Sequence, residues 1–367
     1  MKVLFAHDWL TGMRGGEKCL EDLVRLYPDS EIHTLLRVPR AVSEVIESRP
    51  IRTSFLQKIP AIEKNYKLCL PLFPLAIRSL PAYQADLVVS VSHCAAKGIR
   101  VPEGAKHICY ILTPMRYAWL FFDEYFGGFP APVRALIRPL LAALRRWDRS
   151  TSQSVTRFIA ISRHVADRVN RFYGREASVI YPPVDVDFYT PSDRKRGEFC
   201  VLVSALVPYK RVDLAIRAFN ELGAKLVVIG TGPERDRLQK MAGPTIEFLG
   251  WKTNAEIREF YRSCEALIFP GEEDFGIVPV EAQACGAPVV AFARGGALET
   301  VVDGKTGVFF DELTTFALKK AVEDARSRRW DAAAIRAHAS TFSNERFRRE
   351  FAEAVEETLS AQPVTKR

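Results

Sequence analysis

Two glutamates with seven residues between them, Glu273 and Glu281, enclose the run Asp274-Phe275-Gly276-Ile277 within PGEEDFGIVPVEAQACGAPVVAFARGGALETV, residues 270–301. The apolar ALIF before this segment reads as a strand, and Gly276-Ile277 opens a helix expected to run to about Cys285. A helix start presents N–H groups without intrahelical partners and the positive end of the dipole, which suits an anion such as a diphosphate. Glu273 stands just before that start and Glu281 about one and a half turns into it. Two carboxylates can therefore accept hydrogen bonds from hydroxyl groups around one anion. A second segment, VSALVPYKRVDLAIRAF (203–219), ends a strand in a proline turn and enters a helix through Lys210 and Arg211. A lysine there supplies a compact positive charge that stabilises a departing phosphate as its bond breaks. IGTGPERDRL (229–238) puts Gly230 in a tight turn after another strand, where a residue without a Cβ lets a ligand approach the backbone.

The first half holds its polar candidates at strand ends too. HDWLTGMRGGEKCLEDL (7–23) leaves a strand and reaches a helix through Gly12, Gly15 and Gly16, but the spacing G-x-x-G-G is not the dinucleotide fingerprint G-x-G-x-x-G. His93 closes the strand in VSVSHCAAKG, and Arg116 and Tyr117 follow another in YILTPMRYAW (110–119). The elements that carry these residues alternate. Strands are expected at 3–6, 31–36, 86–92, 107–112 and 157–162, then at 199–206, 225–230, 245–250, 266–270 and 288–293, with helices between. This order predicts two α/β domains, each a doubly wound parallel sheet covered on both faces, with ligands at the carboxyl ends of the strands. Residues 178–199, with three prolines and a charged stretch, read as the linker, and the boundary falls near Pro183.

E-x7-E with its intervening F-G resembles the signature of retaining GT-B glycosyltransferases of family 4 (group 1). YILTPMRYAW resembles the H-T-P-M-R-Y-x-W motif of bacterial O-antigen mannosyltransferase-like members. The likeness spans nearly the whole chain and is strongest over 199–304. It implies a GT-B architecture of two facing Rossmann-like domains with an interdomain cleft. Residues 1–182 would bind the acceptor, 183–345 the nucleotide-sugar donor, and 346–367 would form a C-terminal helix crossing back to the first domain and a tail. Glu273 and Lys210 take the catalytic roles in this scheme. Gly15, Gly16, Lys210, Arg211, Gly230, Glu273, Asp274, Phe275, Gly276, Ile277 and Glu281 bind the donor, and His93, Arg116 and Tyr117 lie on the acceptor side. The implied reaction moves a hexose from a nucleoside-diphosphate sugar to a glycan or lipid-linked acceptor, with attack on the face the leaving group departs from and the leaving phosphate helping to remove the acceptor proton. No metal and no cofactor are expected. The likeness of T-P-M-R-Y to mannosyltransferases favours GDP-mannose as donor.

Two positions depart from the pattern. Leu112 stands where the family has a histidine facing the transferred sugar, and Ala205 where it has an arginine sharing the diphosphate. Either loss removes a polar contact that acts on the transition state. The alternative class is a catalytically weak, glycosyltransferase-like nucleotide-sugar-binding or scaffold protein. A two-domain nucleotide-sugar epimerase lacks an identifiable acid/base constellation here, and a nucleic-acid partner is not expected, since only the basic first half would speak for one.

That basicity is uneven. The chain of 367 residues carries a formal net charge of +8, yet residues 1–182 hold 26 Lys and Arg against 16 Asp and Glu, and the remainder is slightly acidic. APVRALIRPLLAALRRWDRS (131–150) sets Arg134, Arg138, Arg145, Arg146 and Arg149 around an apolar stretch, with Pro139 interrupting the amphipathic pattern. This segment suits an anionic membrane surface or a core-packed helix with a solvated face, and the lipid-linked acceptors of the resembled family favour the membrane. MKVLFAHDWL is too short for a signal h-region, so the expected localisation is cytoplasmic, extending to a peripheral place on the inner face of the cell membrane. Seven cysteines, without metal-ligand spacing, read as reduced core residues.

Overall fold

The computed structural model describes residues 1–120, 122, 127–193 and 195–361. These divide into two units, Met1–Pro183 together with the chain from Phe347 on, and Val184–Arg346.

The first unit is built on a seven-stranded sheet in the order β3-β2-β1-β4-β5-β6-β7. Its strands are β1 (Val3–His7), β2 (Glu31–Thr34), β3 (Ile51–Thr53), β4 (Leu87–Ser92), β5 (Lys106–Ile111), β6 (Arg157–Ala160) and β7 (Ala177–Val179). All neighbours pair parallel. β1 and β4 are buried along their whole length, as central strands covered on both faces must be. β3 and β7 are three-residue edge strands that the sequence patterning misses, and β7 occupies part of the stretch read as linker. That stretch is not a loose tether: Val184 N–H bonds the Phe342 carbonyl, and Tyr189 is buried.

The last helix, Asn344–Ser360, closes the core of this unit with Phe347 and Phe351, both fully buried against Tyr110 at ring separations of 5.5 and 6.1 Å. The helix Ala131–Thr151 is continuous through Pro139, which lies on its exposed side, where solvent can reach the carbonyl left without a partner. Its second half is packed. Asp148 is wholly buried and pairs with Lys97, itself 1% exposed, while Trp119 Nε1 and the Tyr173 hydroxyl each donate to the second carboxylate oxygen at 2.7 Å. Removing one partner of such a buried pair would cost about 3–5 kcal/mol.

The second unit has six parallel strands in the order β10-β9-β8-β11-β12-β13. These are β8 (Cys200–Val203), β9 (Leu226–Ile229), β10 (Ile246–Gly250), β11 (Leu267–Phe269), β12 (Val289–Phe292) and β13 (Gly307–Phe310). A core of Leu202, Leu214, Phe219, Val228, Ile268 and Val290, among others, fills the layer between sheet and helices. In both sheets the strand order reverses once, between β1 and β4 and between β8 and β11, which is where open α/β sheets leave a crevice at the carboxyl ends.

Around the second reversal the loops touch backbone to backbone. A Cβ on Gly230 would overlap the Ser204 carbonyl, and one on Gly271 would lie 2.9 Å from the Lys210 Cα. A Cβ on Gly296 would collide with the backbone of Phe275, while Gly296 N–H bonds the Glu273 carbonyl at 2.8 Å. Replacing Gly296 by Ala should therefore destabilise by about 1–3 kcal/mol and move Glu273. We expect a lowered melting temperature, whereas Gly128→Ala, which meets open space, should leave it unchanged.

His107 in β5 is fully buried, with Nε2 2.8 Å from Ser90 Oγ, and burial pushes its pKa down to about 4. The folded imidazole stays neutral, so below pH about 6.5 protons bind the unfolded chain preferentially. Stability is complete above that pH and falls as pH drops toward 4, by on the order of 3 kcal/mol for this group. Burial lowers His7, His33 and His338 as well, adding to the same trend. Melting temperatures measured between pH 7.5 and 4.5 should decline for the wild type and less steeply for His107→Gln.

Candidate functional site

In the second unit, the loops after β8 and β11 carry Lys210 and Glu273 to the point where the strand order reverses, and there Lys210 Nζ and a Glu273 carboxylate oxygen form an ion pair. Both side chains are partly exposed, at 14% and 21%. A cation and a carboxylate so placed can divide one ligand between them, an anionic part on the lysine and hydroxyl groups on the glutamate. Arg211 adopts a left-handed backbone conformation (φ 53°) as it caps the helix Val212–Leu222, and its Nε bonds Asp213 at 3.2 Å. Its Nε is thus engaged by the first turn of that helix.

Gly276, at φ 94°, turns the chain into the helix Ile277–Ala284. A side chain is strained at that angle, which is the physical reason for glycine here. Asp274 and Phe275 are buried, and the Phe275 ring packs on Phe342 at 5.7 Å. Phe275 therefore anchors the turn by its ring and can offer a ligand only its backbone. Glu281 is 6% exposed, with one oxygen 3.5 Å from the Tyr261 hydroxyl. Burial, with Glu281 nearby, raises the phenols of both Tyr261 and Tyr189. These two tyrosines have no motif around them and were not among the expected residues; only their spatial convergence on Glu281 reveals them.

In the first unit, Gly15 and Gly16 begin the helix Gly15–Leu26. The place a Cβ on Gly16 would take lies 2.7 Å from Leu112 Cδ1 and 3.4 Å from His7 Nε2. Leu112 is thus brought against the glycine turn, with a methyl group where the resembled motif has an imidazole. His93 follows β4, and its Nδ1 lies 3.0 Å from Asp8 Oδ2 at the end of β1. Arg116 and Tyr117 open the short helix Arg116–Trp119 on the loop after β5. His7 ends β1 and Asp8 follows it, and both are fully buried.

Residues 13–188 match the family model described as Glycosyltransferase Family 4, and residues 190–340 the one described as Glycosyl transferases group 1. The D-inositol 3-phosphate glycosyltransferase of Mycobacteroides abscessus is 31% identical over 187 residues, covering 44% of this chain and 42% of its own length. The GDP-mannose-dependent alpha-(1-6)-phosphatidylinositol monomannoside mannosyltransferase of Mycolicibacterium smegmatis is 32% identical over 195 residues, covering 45% and 51%. The chain thus spans about half the length of these curated relatives. Among solved structures, HepE of Anabaena in complex with UDP and glucose aligns over 97% of this chain and 99% of its own, with a TM-score of 0.69 and 21% identity. Sucrose-phosphate synthase of Thermosynechococcus elongatus aligns over 99% and 100%, at 0.71 and 16%. At those identities the likeness is one of fold. With the two models side by side along the sequence and each half folded as a doubly wound parallel sheet, the chain belongs to the GT-B glycosyltransferases of group 1, family 4.

Proposed function

We propose that this protein moves a hexose from a nucleoside-diphosphate sugar to a hydroxyl of a glycan or lipid-linked acceptor, with retention at the anomeric carbon and without a metal ion. The observation that carries the reading is the Lys210–Glu273 pair at the strand-order reversal, beside the start of the helix that holds Glu281. Lys210 and the helix N–H groups take the charge of the leaving diphosphate. Glu273 accepts hydrogen bonds from the transferred sugar and Glu281 from the ribose. A nucleotide-sugar donor is supported by the HepE structure, solved with UDP and glucose. Mannose is supported by the mycobacterial relative's name and by the T-P-M-R-Y segment.

A second reading, a nucleotide-sugar-binding protein without efficient transfer, is favoured by the apolar Leu112 beside Gly16. Transfer assays separate the two. Glu281→Ala should weaken binding of the bare nucleotide about 10- to 100-fold, the value of hydrogen bonds to a charged group. Glu273→Ala should leave that affinity nearly intact and lower kcat, and Lys210→Ala should lower kcat about 100- to 1000-fold. Calorimetry with GDP and UDP, set beside initial rates, checks this. Nucleotide binding with no sugar transfer by the wild type would establish the second reading.

The first unit would carry the acceptor and, with it, a peripheral contact with anionic lipid. Support comes from the first half of the helix Ala131–Thr151, which leaves Leu136 75% exposed with Leu140 one turn on, and Arg138 exposed as well. Arg145 is partly buried and bonds the Ala118 carbonyl at 2.9 Å, whereas Arg146 and Arg149 in the second half are exposed. No described helix is long and apolar enough to cross a membrane. Arg134→Gln with Arg138→Gln should reduce cosedimentation with phosphatidylglycerol-containing vesicles about fivefold per charge, at about 1 kcal/mol each. The loss should be smaller at high salt, because screening already weakens the wild type.

A further inference from the structure

Residues 62–78 of the first unit form one unbroken helical run, in which Ile62–Asn65, Tyr66–Leu72 and Phe73–Arg78 follow one another without a gap. Its inner side is core: Ile62, Tyr66, Phe73 and Ile77 are buried in an apolar cluster with Leu4, Ala6 and Val88, which line one face of the first sheet. The outer side is apolar as well. Leu68, Leu72 and Leu75 recur about one turn apart and are 79%, 40% and 65% exposed, and among the described residues no large apolar side chain is more exposed than Leu68. A surface helix ordinarily turns its apolar stripe inward and its polar residues outward. A row of leucines left in water, rimmed by polar groups, marks a surface that another body covers. The rim here is basic: Lys58, Lys64, Lys67 and Arg78 are all exposed, and Glu63 is the one acid between residues 55 and 78. None of these four cations makes an ion pair among the described residues. Lysine stems can lie along apolar surface while their ammonium groups reach out to phosphate oxygens. A protein partner fits this composition less well, because protein–protein interfaces are depleted in lysine and draw their energy from Trp, Tyr and Arg rather than from leucine. A second copy docked stripe to stripe would bring the same cations against one another.

We propose that the outer side of residues 55–78 is a lipid-inserting surface, with Leu68, Leu72 and Leu75 entering the upper acyl chains of an anionic bilayer and Lys58, Lys64, Lys67 and Arg78 meeting its phosphates. It goes beyond the contact given above to residues 131–140, being a different segment that holds by insertion as well as by charge. It does not rest on the transferase reading. Both segments belong to elements that cover the same face of the first sheet, since Trp147 of the helix Ala131–Thr151 packs against the cluster that buries Tyr66 and Phe73. Two weak attachments on one folded unit bind far better than either does alone.

The test floats the full chain with vesicles of phosphatidylcholine, alone or mixed with phosphatidylglycerol, at low and high salt. Leu68→Gln with Leu75→Gln should weaken binding to mixed vesicles about 10-fold per leucine, the value of burying such a side chain, at both salt concentrations. The melting temperature should not fall, because both leucines stand in solvent. Lys64→Gln with Lys67→Gln should weaken binding about fivefold per charge, at low salt only, and should leave binding to phosphatidylcholine alone unchanged. In the Leu68→Trp variant the added indole, read as the difference from wild type, should shift to shorter emission wavelength on mixed vesicles and be quenched by brominated acyl chains. Unchanged vesicle binding by the leucine variant, an added indole that stays in water, or a wild type that floats with no vesicle would each overturn the surface. A wild-type dimer in analytical ultracentrifugation that the leucine variant takes apart would overturn it too, since a second copy would then cover the stripe. Calorimetry with GDP and UDP reads the donor site separately: a wild type that binds vesicles through these leucines but binds neither nucleotide upholds the surface and sinks the transferase reading.

Discussion

Backbone in direct contact with backbone is the constraint on which the ligand edge of the second unit depends. Lys210 and Glu273 are far apart in sequence, and what brings them together is that Gly271 lets its loop rest on the Lys210 backbone while Gly296 lets another rest on Phe275 and hold the Glu273 carbonyl. Glycines at these places act as spacers of zero thickness. A single added carbon at either one would push the loops apart by an amount comparable to a hydrogen bond's tolerance.

The first unit solves the same problem by a different force. The end of its first strand and the loop after the fourth are joined by a buried charge, and four N–H groups converge on Asp8 in the manner of a backbone nest that binds an anion. Deeper in the unit, Lys97 and Asp148 bring a cation and an anion out of water together, with Trp119 and Tyr173 satisfying the remaining oxygen. That cluster fixes Trp119, and with it the turn that presents Arg116 and Tyr117. The tryptophan in the T-P-M-R-Y segment is thereby accounted for by packing and hydrogen bonding.

The parts of this that were legible in the sequence are those in which one short segment contains both the element and its chemistry. Glu273, Gly276 and Glu281 lie on one strand-to-helix turn, so their relation follows from helix geometry. The long buried strands β1, β4 and β12 announce themselves by continuous apolar runs. β3 and β7 do not, because three half-exposed residues at a sheet edge carry no usable periodicity, and Pro139 misleads because a helix can hide its missing bond on the solvent side. Tyr189 and Tyr261 around Glu281, Asp8 under His93, and the bond from Arg211 Nε to Asp213 are all long-range or orientational facts. Residue type cannot encode them: a tyrosine in a core and a tyrosine beside a carboxylate look the same on paper.

The return of the chain to the first unit has a consequence for how the protein comes into being. Tyr110 lies in β5, yet the phenylalanines that cover it, Phe347 and Phe351, are among the last residues of the described chain. During synthesis from the amino terminus, the Val184–Arg346 unit has all of its strands in hand before the earlier-born unit has its final helix. The domain made first is therefore the domain finished last, and until the ribosome delivers that helix its apolar flank is available to chaperones and to misassociation.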